Sequence, residues 1–365
     1  MKIEALFVDS ESAAEPEVER ISTALGLVPR PVGSAREVFA AVQAAPDPVG
    51  AGKRMLYLTA NRGAFIRDCP GTAHYTCCGY RILHVAAYCS MDCAYCILQS
   101  YFHPPVLTYF LNRGDLAAEL QVEFDKQATQ RFGTGEFTDS LIWEGVSPRN
   151  AELIHLFAAQ DRCVLELKTK TTAIERLLPL AHRRRTILAW SLNRAATASR
   201  YERGTAGIDA RLAAAARAAA RGYPLAFHFD PIVIEEGALA GYLETIETLF
   251  SRIDAEQIVW ISLGALRFMP ALKAVIERRF PGTPLACGEF ITGLDGKLRY
   301  FKPLRIRAYR AMAQAIRRRA PGVCLYLCME DDEVWQEALG FVPGRRGGLA
   351  AMLDEAAVRV CGLAR

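Results

Sequence analysis

From about residue 80 the chain alternates short apolar runs with longer amphipathic stretches. Arg81–Ala87, Ser140–Trp143, Cys163–Lys168, Thr186–Ser191, Leu225–Phe229, Gln257–Leu263 and Cys324–Cys328 read as strands. Helical periodicity fills the intervals, at Asp115–Thr129, Asn150–Ala159, Asp209–Arg221, Gly241–Ile253, Pro270–Arg279 and Pro303–Arg319. Strand and helix in alternation imply a parallel sheet. Seven or so such units over roughly 250 residues favour an open or closed β/α barrel over a doubly wound sheet. No Gly-x-Gly-x-x-Gly follows an early strand, which weakens a dinucleotide-binding reading.

The first part of the chain is patterned differently. Met1–Asp9 reads as a short strand ending at an acid, Glu15–Leu27 and Ala35–Ala45 as helices, and Arg54–Thr59 as a strand after the Pro46–Gly50 breaker cluster. Residues 69–80 are turn-rich. These patterns divide the chain into an α/β extension over 1–78, a barrel over 79–335 and a helical tail over 336–365.

Composition narrows the function classes. The chain has 365 residues, 51 % of them apolar and 23 % charged, with a net charge of +4. That excludes a disordered or fibrous protein, and the charge is too small to make the whole surface a polyanion binder. No basic segment followed by an apolar core marks a signal peptide. No apolar run reaches the roughly 18–20 residues needed to cross a bilayer. Leu212–Ala220 comes nearest, interrupted by Arg217. A cytoplasmic protein with no membrane partner is expected. In a reducing compartment, 11 cysteines argue for metal or redox chemistry over a disulfide scaffold.

Three of those cysteines carry the main signal. Cys89-Ser90-Met91-Asp92-Cys93-Ala94-Tyr95-Cys96 places three thiols within eight residues, directly after the first barrel-type strand. A loop can wrap them round one metal centre, whereas a regular helix or strand would aim at least one away. Soft thiolates select iron–sulfur clusters, zinc or Cu(I). Structural zinc takes four protein ligands, and a cubane 4Fe–4S cluster likewise takes four thiolates. Three thiolates leave one iron open for a small molecule.

The Cys-x3-Cys-x2-Cys spacing resembles the radical S-adenosylmethionine superfamily. That resemblance implies a 4Fe–4S cluster and S-adenosylmethionine, whose reductive cleavage yields a 5′-deoxyadenosyl radical that takes a hydrogen atom from the substrate. It also implies an electron donor such as flavodoxin or ferredoxin. Tyr95-Cys96-Ile97-Leu98-Gln99, Thr169-Lys170, Ser191-Leu192-Asn193, Glu202-Arg203-Gly204-Thr205 and Gly222-Tyr223-Pro224-Leu225 together resemble the spore photoproduct lyase family, over roughly residues 54–330. The implied fold is α/β, a partial (β/α)6-type barrel of the radical S-adenosylmethionine kind with an N-terminal α/β extension. The implied reaction reverses a thymine dimer in DNA. By carry-over, Cys89, Cys93 and Cys96 bind the cluster. Glu136, in a Gly135-Glu136 pair like the superfamily's glycine–glutamate segment, Lys170, Ser191 and Asn193 contact the cofactor, and Tyr95 lies in the radical-transfer region.

Two departures stand out. The family's hydrogen-donating cysteine falls on or near Glu136 here, and its second tyrosine is Ile97. Cys328, at the C-terminal end of the last strand, is a candidate replacement. Cys324 shares its strand face but stands roughly 13 Å away, so the two do not chelate one ion. His228 and Asp230, two apart on one strand, share a face and are candidates for the barrel mouth or for a paired core. Cys69, Cys77 and Cys78, with His74, form a weaker second metal candidate.

Near 291–303 an Asp295-Gly296 turn predicts a hairpin. Arg299, Lys302, Arg305, Arg307 and Arg310 beside Tyr300 and Tyr309 suit nucleic-acid contact or a solvated helix face. Besides DNA repair, an enzyme acting on a peptide or small molecule and a non-enzymatic iron–sulfur module also fit the sequence.

Overall fold

The computed structural model describes residues 2–71 and 74–364. The expected parallel barrel forms. Seven strands run parallel: Arg81–Leu83, Gln130–Gly133, Cys163–Thr169, Thr186–Ser191, Leu225–Ile232, Ile258–Ala265 and Cys324–Leu327. Ile66–Asp68 adds an antiparallel edge beside Arg81–Leu83. The sheet is open, with Cys324–Leu327 at one edge and Ile66–Asp68 at the other.

Registers decide which side chains enter the barrel. Ser191 lies opposite His228, His228 opposite Ser262, and Ser262 opposite Tyr326. With a period of two, Glu166, Lys168, Asp230, Gly264 and Cys328 fall on that same inner face. The outer face is covered by helices, among them Arg149–Ala158, Ile208–Ala219, Ala238–Arg252, Lys302–Arg319 and Leu349–Cys361. Their apolar stripes and the buried strands form one continuous core.

One expected strand is absent. Ser140–Trp143 forms turns, and Gln130–Gly133 takes its place in the sheet. Leu141 and Trp143 are buried, but their backbone carbonyls accept from Glu144 and Val146 N–H groups, closing turns where a ladder was expected. Arg81–Ala87 also divides. Arg81–Leu83 stays in the barrel, while Ala86–Ala87 pairs antiparallel with Leu107–Phe110 in a second sheet. That five-stranded sheet runs Arg30–Val32, Ala5–Asp9, Met55–Thr59, Leu107–Phe110, Ala86–Ala87. Its strand nearest the N-terminus begins at Ala5, and Met1 lies outside the described residues.

Residues 69–71 and 74–80 leave the antiparallel edge and reach the opposite one. The Cys69 N–H donates to Tyr80 O at 3.0 Å, and the Thr76 N–H to Glu330 O, just past the last strand, at 3.2 Å. Arg131 donates to Cys78 O at 2.6 Å. These bonds tie the segment to both sides of the open sheet. The expected hairpin is present as Phe290–Thr292 and Leu298–Tyr300, joined by Arg267–Phe268 into a three-stranded sheet.

Candidate active site

The chain leaves the Arg81–Leu83 strand, passes through Ala86–Ala87 and turns at Tyr88, which holds a left-handed φ of 70°. A bulky residue seldom adopts that conformation, and here it turns the backbone into the thiol loop. Asp92–Cys93 then pairs antiparallel with Glu202–Arg203. Behind the loop, Gln99 Nε2 donates to the carbonyls of Cys93, Ala94 and Cys96 at 3.2, 3.0 and 3.3 Å. The Met91 N–H points at Cys89 Sγ, 3.4 Å away.

The donor set suits a cluster. Cys89 and Cys93 are buried and Cys96 is half-buried. Burial pushes the Cys89 thiol up to about 12 and Cys93 well above its ordinary value. A cationic metal centre reverses that penalty by taking the thiolate directly. Among the described residues no three His, Cys, Asp or Glu side chains already converge on an ion, so thiol rotamers would close as the metal enters. Three soft ligands on one lashed loop fit an iron–sulfur cluster with one non-protein corner.

Facing the loop is a buried polar group centred on Glu202. Its carboxylate accepts from the Tyr95 hydroxyl, from Arg211 Nη2 at 2.5 Å and from Asn193 Nδ2 at 3.3 Å. Burial would raise the Glu202 pKa, but the charges of Lys170 and Arg211 outweigh it and hold the carboxyl below its usual range. Burial raises the Tyr95 hydroxyl well above its ordinary value. Lys170 Nζ lies 5.6 Å from the centre of the Tyr95 ring. Its N–H donates to Asp139 at 2.7 Å and its carbonyl accepts from Ala206 at 2.9 Å, so the backbone beneath the ammonium is fixed. Asn193 also donates to Pro231 O at 3.2 Å and accepts from the Tyr242 hydroxyl at 2.5 Å. The Ser191 carbonyl accepts from Arg211 at 2.8 Å.

A second set of expected residues lies inside the barrel. Glu136 is ion-paired with Lys168. Asp230 receives both guanidinium nitrogens of Arg267, at 3.1 and 3.0 Å, and Arg267 Nη2 also reaches Cys328 Sγ at 3.2 Å. Gly264 makes room for this pair, since a Cβ there would stand 2.6 Å from an Asp230 oxygen. His228 is held between Ser262 Oγ at 2.7 Å and Glu166 Oε1 at 2.5 Å. Burial keeps the Cys328 thiol protonated, with its pKa pushed up to about 12. Cys69, Cys77 and Cys78 line a narrow cavity with Tyr326, Cys328 and Met329.

The expected residues therefore form two groups. Cys89, Cys93, Cys96, Tyr95, Lys170 and Asn193 meet at the mouth, with Ser191 tied in through Arg211. Glu136, His228, Asp230 and Cys328 lie on the inner wall. Sequence reasoning missed Glu202, Arg211, Asp139, Glu166, Lys168 and Arg267 as site residues. Glu166, Lys168 and Lys170 alternate on one strand, a period-two signal that would have found the first two.

The basic hairpin needs correction. Arg299 is 2 % exposed and binds Asp295 and Met329 O, while Arg305 is buried against Glu330. Lys302 pairs with Asp331 and Glu333, and Arg310 with Glu337. Tyr300 and Tyr309 are buried. Carboxylates of the same chain take up these four cations, Arg307 alone of the five stays exposed with no ion pair among the described residues, and neither ring is free to stack on a base. The exposed large side chains of the hairpin region are apolar: Ile291, Leu294 and Phe301.

Three thiols on one loop over the mouth of an open parallel β/α barrel make this a protein of the radical S-adenosylmethionine barrel class. The spore photoproduct lyase family model matches residues 75–293, and the chain belongs to that family. Spore photoproduct lyase of Geobacillus sp. (strain Y412MC61) is 29 % identical over 210 residues, 56 % of this chain and 62 % of the relative. The Bacillus subtilis (strain 168) protein is 28 % identical over 206 residues, 55 % of this chain and 60 % of the relative. The matched stretch thus spans less than two thirds of either relative. A solved structure of a cysteine-to-alanine spore photoproduct lyase with dinucleoside spore photoproduct superposes with a TM-score of 0.77, at 23 % identity, over 90 % of this chain and 99 % of that one. A doubly substituted form with bound AdoMet and the same dinucleoside gives 0.76, at 23 % identity, over 89 % and 98 %.

Proposed function

We propose that this chain is a radical S-adenosylmethionine enzyme of the lyase kind that acts on a thymine photoproduct in DNA. The observation that carries the reading is the thiol loop lying against the Lys170–Tyr95–Glu202 group at the barrel mouth. A reduced 4Fe–4S cluster with S-adenosylmethionine would supply the radical that abstracts a hydrogen atom from the substrate.

The chain's own residues bind, orient and shield. Cys89, Cys93 and Cys96 hold the cluster. Lys170 makes no ion pair within 4 Å among the described residues, so its ammonium is available for the carboxylate of the methionine moiety. Asn193, fixed by Tyr242, and Ser191, at the end of its strand, line the same side. Glu136 is a weaker contact, because Lys168 already engages it.

Glu136 occupies the region of the family's donor thiol, and residues 134–162 contain no cysteine. Cys328 is the proposed donor, since its half-buried thiol stays protonated beside Arg267. His228 and Asp230 then serve as a paired wall that shapes the cavity. For DNA, the exposed Leu294 and Ile291 fit a wedge between base steps better than a phosphate clamp.

The missing donor also favours a second reading, an enzyme of the same chemistry on another substrate. Anaerobic incubation of reconstituted protein with dithionite, S-adenosylmethionine and dinucleoside spore photoproduct separates them. Release of intact thymidines supports repair. Deoxyadenosine without repair supports the other substrate. A reconstituted cluster that yields no deoxyadenosine leaves only an iron–sulfur module.

A further inference from the structure

Lys53 lies outside the residues matched by the family model, yet it reaches under the thiol loop. It follows the short helix Pro48–Gly52, and its side chain is 7 % exposed. Its Nζ donates to the Cys89 carbonyl at 3.0 Å and to the Met91 carbonyl at 2.5 Å, and stands 4.6 Å from the centre of the Tyr88 ring. The Tyr88 hydroxyl returns a hydrogen bond to Val49 O at 3.1 Å. Gly52 permits this close docking, because a Cβ there would fall 1.6 Å from Pro105 O. With Gln99 holding the Cys93 and Cys96 carbonyls, the carbonyl of every ligand cysteine is hydrogen-bonded by a side chain.

The ammonium has another consequence. Asp92, 3.7 Å from Lys53 Nζ, is shared with Arg279 at 2.9 Å, so this cluster of charges has two cations for one carboxylate on the loop. Asp47, 3.2 Å from Arg279, adds a second carboxylate, so the charges balance in number, and Lys53 is the cation bonded to the loop backbone. A cluster bound by three thiolates becomes more negative by one unit when it takes an electron. A buried cation at hydrogen-bond distance from the ligand backbone favours the more negative state.

We propose that Lys53 is a positioning residue for the iron–sulfur cluster, fixing the Cys89 end of the loop and raising the cluster's reduction potential. This rests on the reading that the loop holds such a cluster. The test is an EPR-monitored redox titration, with dithionite and mediators, of full-length protein reconstituted with iron and sulfide. Wild type, K53R, K53Q and K53M are compared for iron content and midpoint potential. K53R is expected to match wild type. K53Q retains an N–H donor but loses the charge, and K53M loses both; each is expected to shift the midpoint to more negative potential, and K53M also to bind less iron. Should K53M not fold, K53Q decides. A K53Q midpoint equal to wild type at equal iron content overturns the proposal. Absence of a cluster from wild-type protein would instead overturn the reading beneath it.

Discussion

His228 and Glu166 meet at 2.5 Å inside the barrel, 62 residues apart in sequence and both almost wholly buried. Burial would raise the Glu166 pKa, but the charge and hydrogen bond of His228 outweigh it and hold the carboxyl low. Replacing His228 with Ala leaves that carboxylate buried without its partner. A loss of about 3–5 kcal/mol is expected in urea denaturation. An unchanged midpoint and slope would show that the pair does not hold the wall together.

Cys93→Ala removes the central thiol of the loop. Reconstituted protein should lose the brown 4Fe–4S absorbance and all deoxyadenosine formation. Full iron occupancy in this variant contradicts the ligand assignment.

Lys170→Ala should leave iron content intact, because among the described residues the Lys170 ammonium makes no hydrogen bond to a ligand cysteine and lies over the Tyr95 ring. S-adenosylmethionine binding should weaken about tenfold or more, the loss of one charge-assisted contact of about 1.5–3 kcal/mol. Isothermal titration of the anaerobic protein checks this, and equal affinity would remove Lys170 from the cofactor site.

Cys328→Ala tests hydrogen return to the product. With its pKa near 12, the thiol stays protonated across the working pH range, so the donor step should not titrate between pH 6 and 9. The variant should still cleave S-adenosylmethionine while the repaired product falls and side products rise. An unaltered product distribution excludes Cys328.

His84 follows the Arg81–Leu83 strand and packs edge-on against Phe110 and Phe137, each centroid 4.9 Å away. Neither ring nitrogen has a hydrogen-bond partner among the described residues, and burial lowers its pKa to about 4. The unfolded chain takes up this proton near pH 6.5, the folded chain only near pH 4. Stability is therefore lost as pH falls between those values, by up to about 3 kcal/mol. His84→Phe should flatten that part of the profile, with its largest gain near pH 4. Parallel profiles for the two proteins would refute the assignment.

The barrel was readable because Cys163–Thr169, Thr186–Ser191 and Leu225–Ile232 are apolar runs bounded by turns. Leu141-Ile142-Trp143 misled because three consecutive apolar residues look alike as a strand or as buried turns. The thiol loop was legible because its chemistry lies within eight residues. Glu202 was not, since the Tyr95 hydroxyl meets it across 107 residues of chain. The hairpin charges misled for the same reason. Arg305 looked free until the fold placed Glu330 beside it.

Residues 69–71 and 74–80 connect the edge of the half-barrel at Ile66–Asp68 to its last strand, through Thr76 N–H and Glu330 O. On the proposed function, a substrate would then enter and leave along the barrel axis, past the thiol loop, and not through that flank. A long polymer could present only one bulge or flipped-out unit at a time, so the architecture itself would sort lesions by how readily they leave the stack.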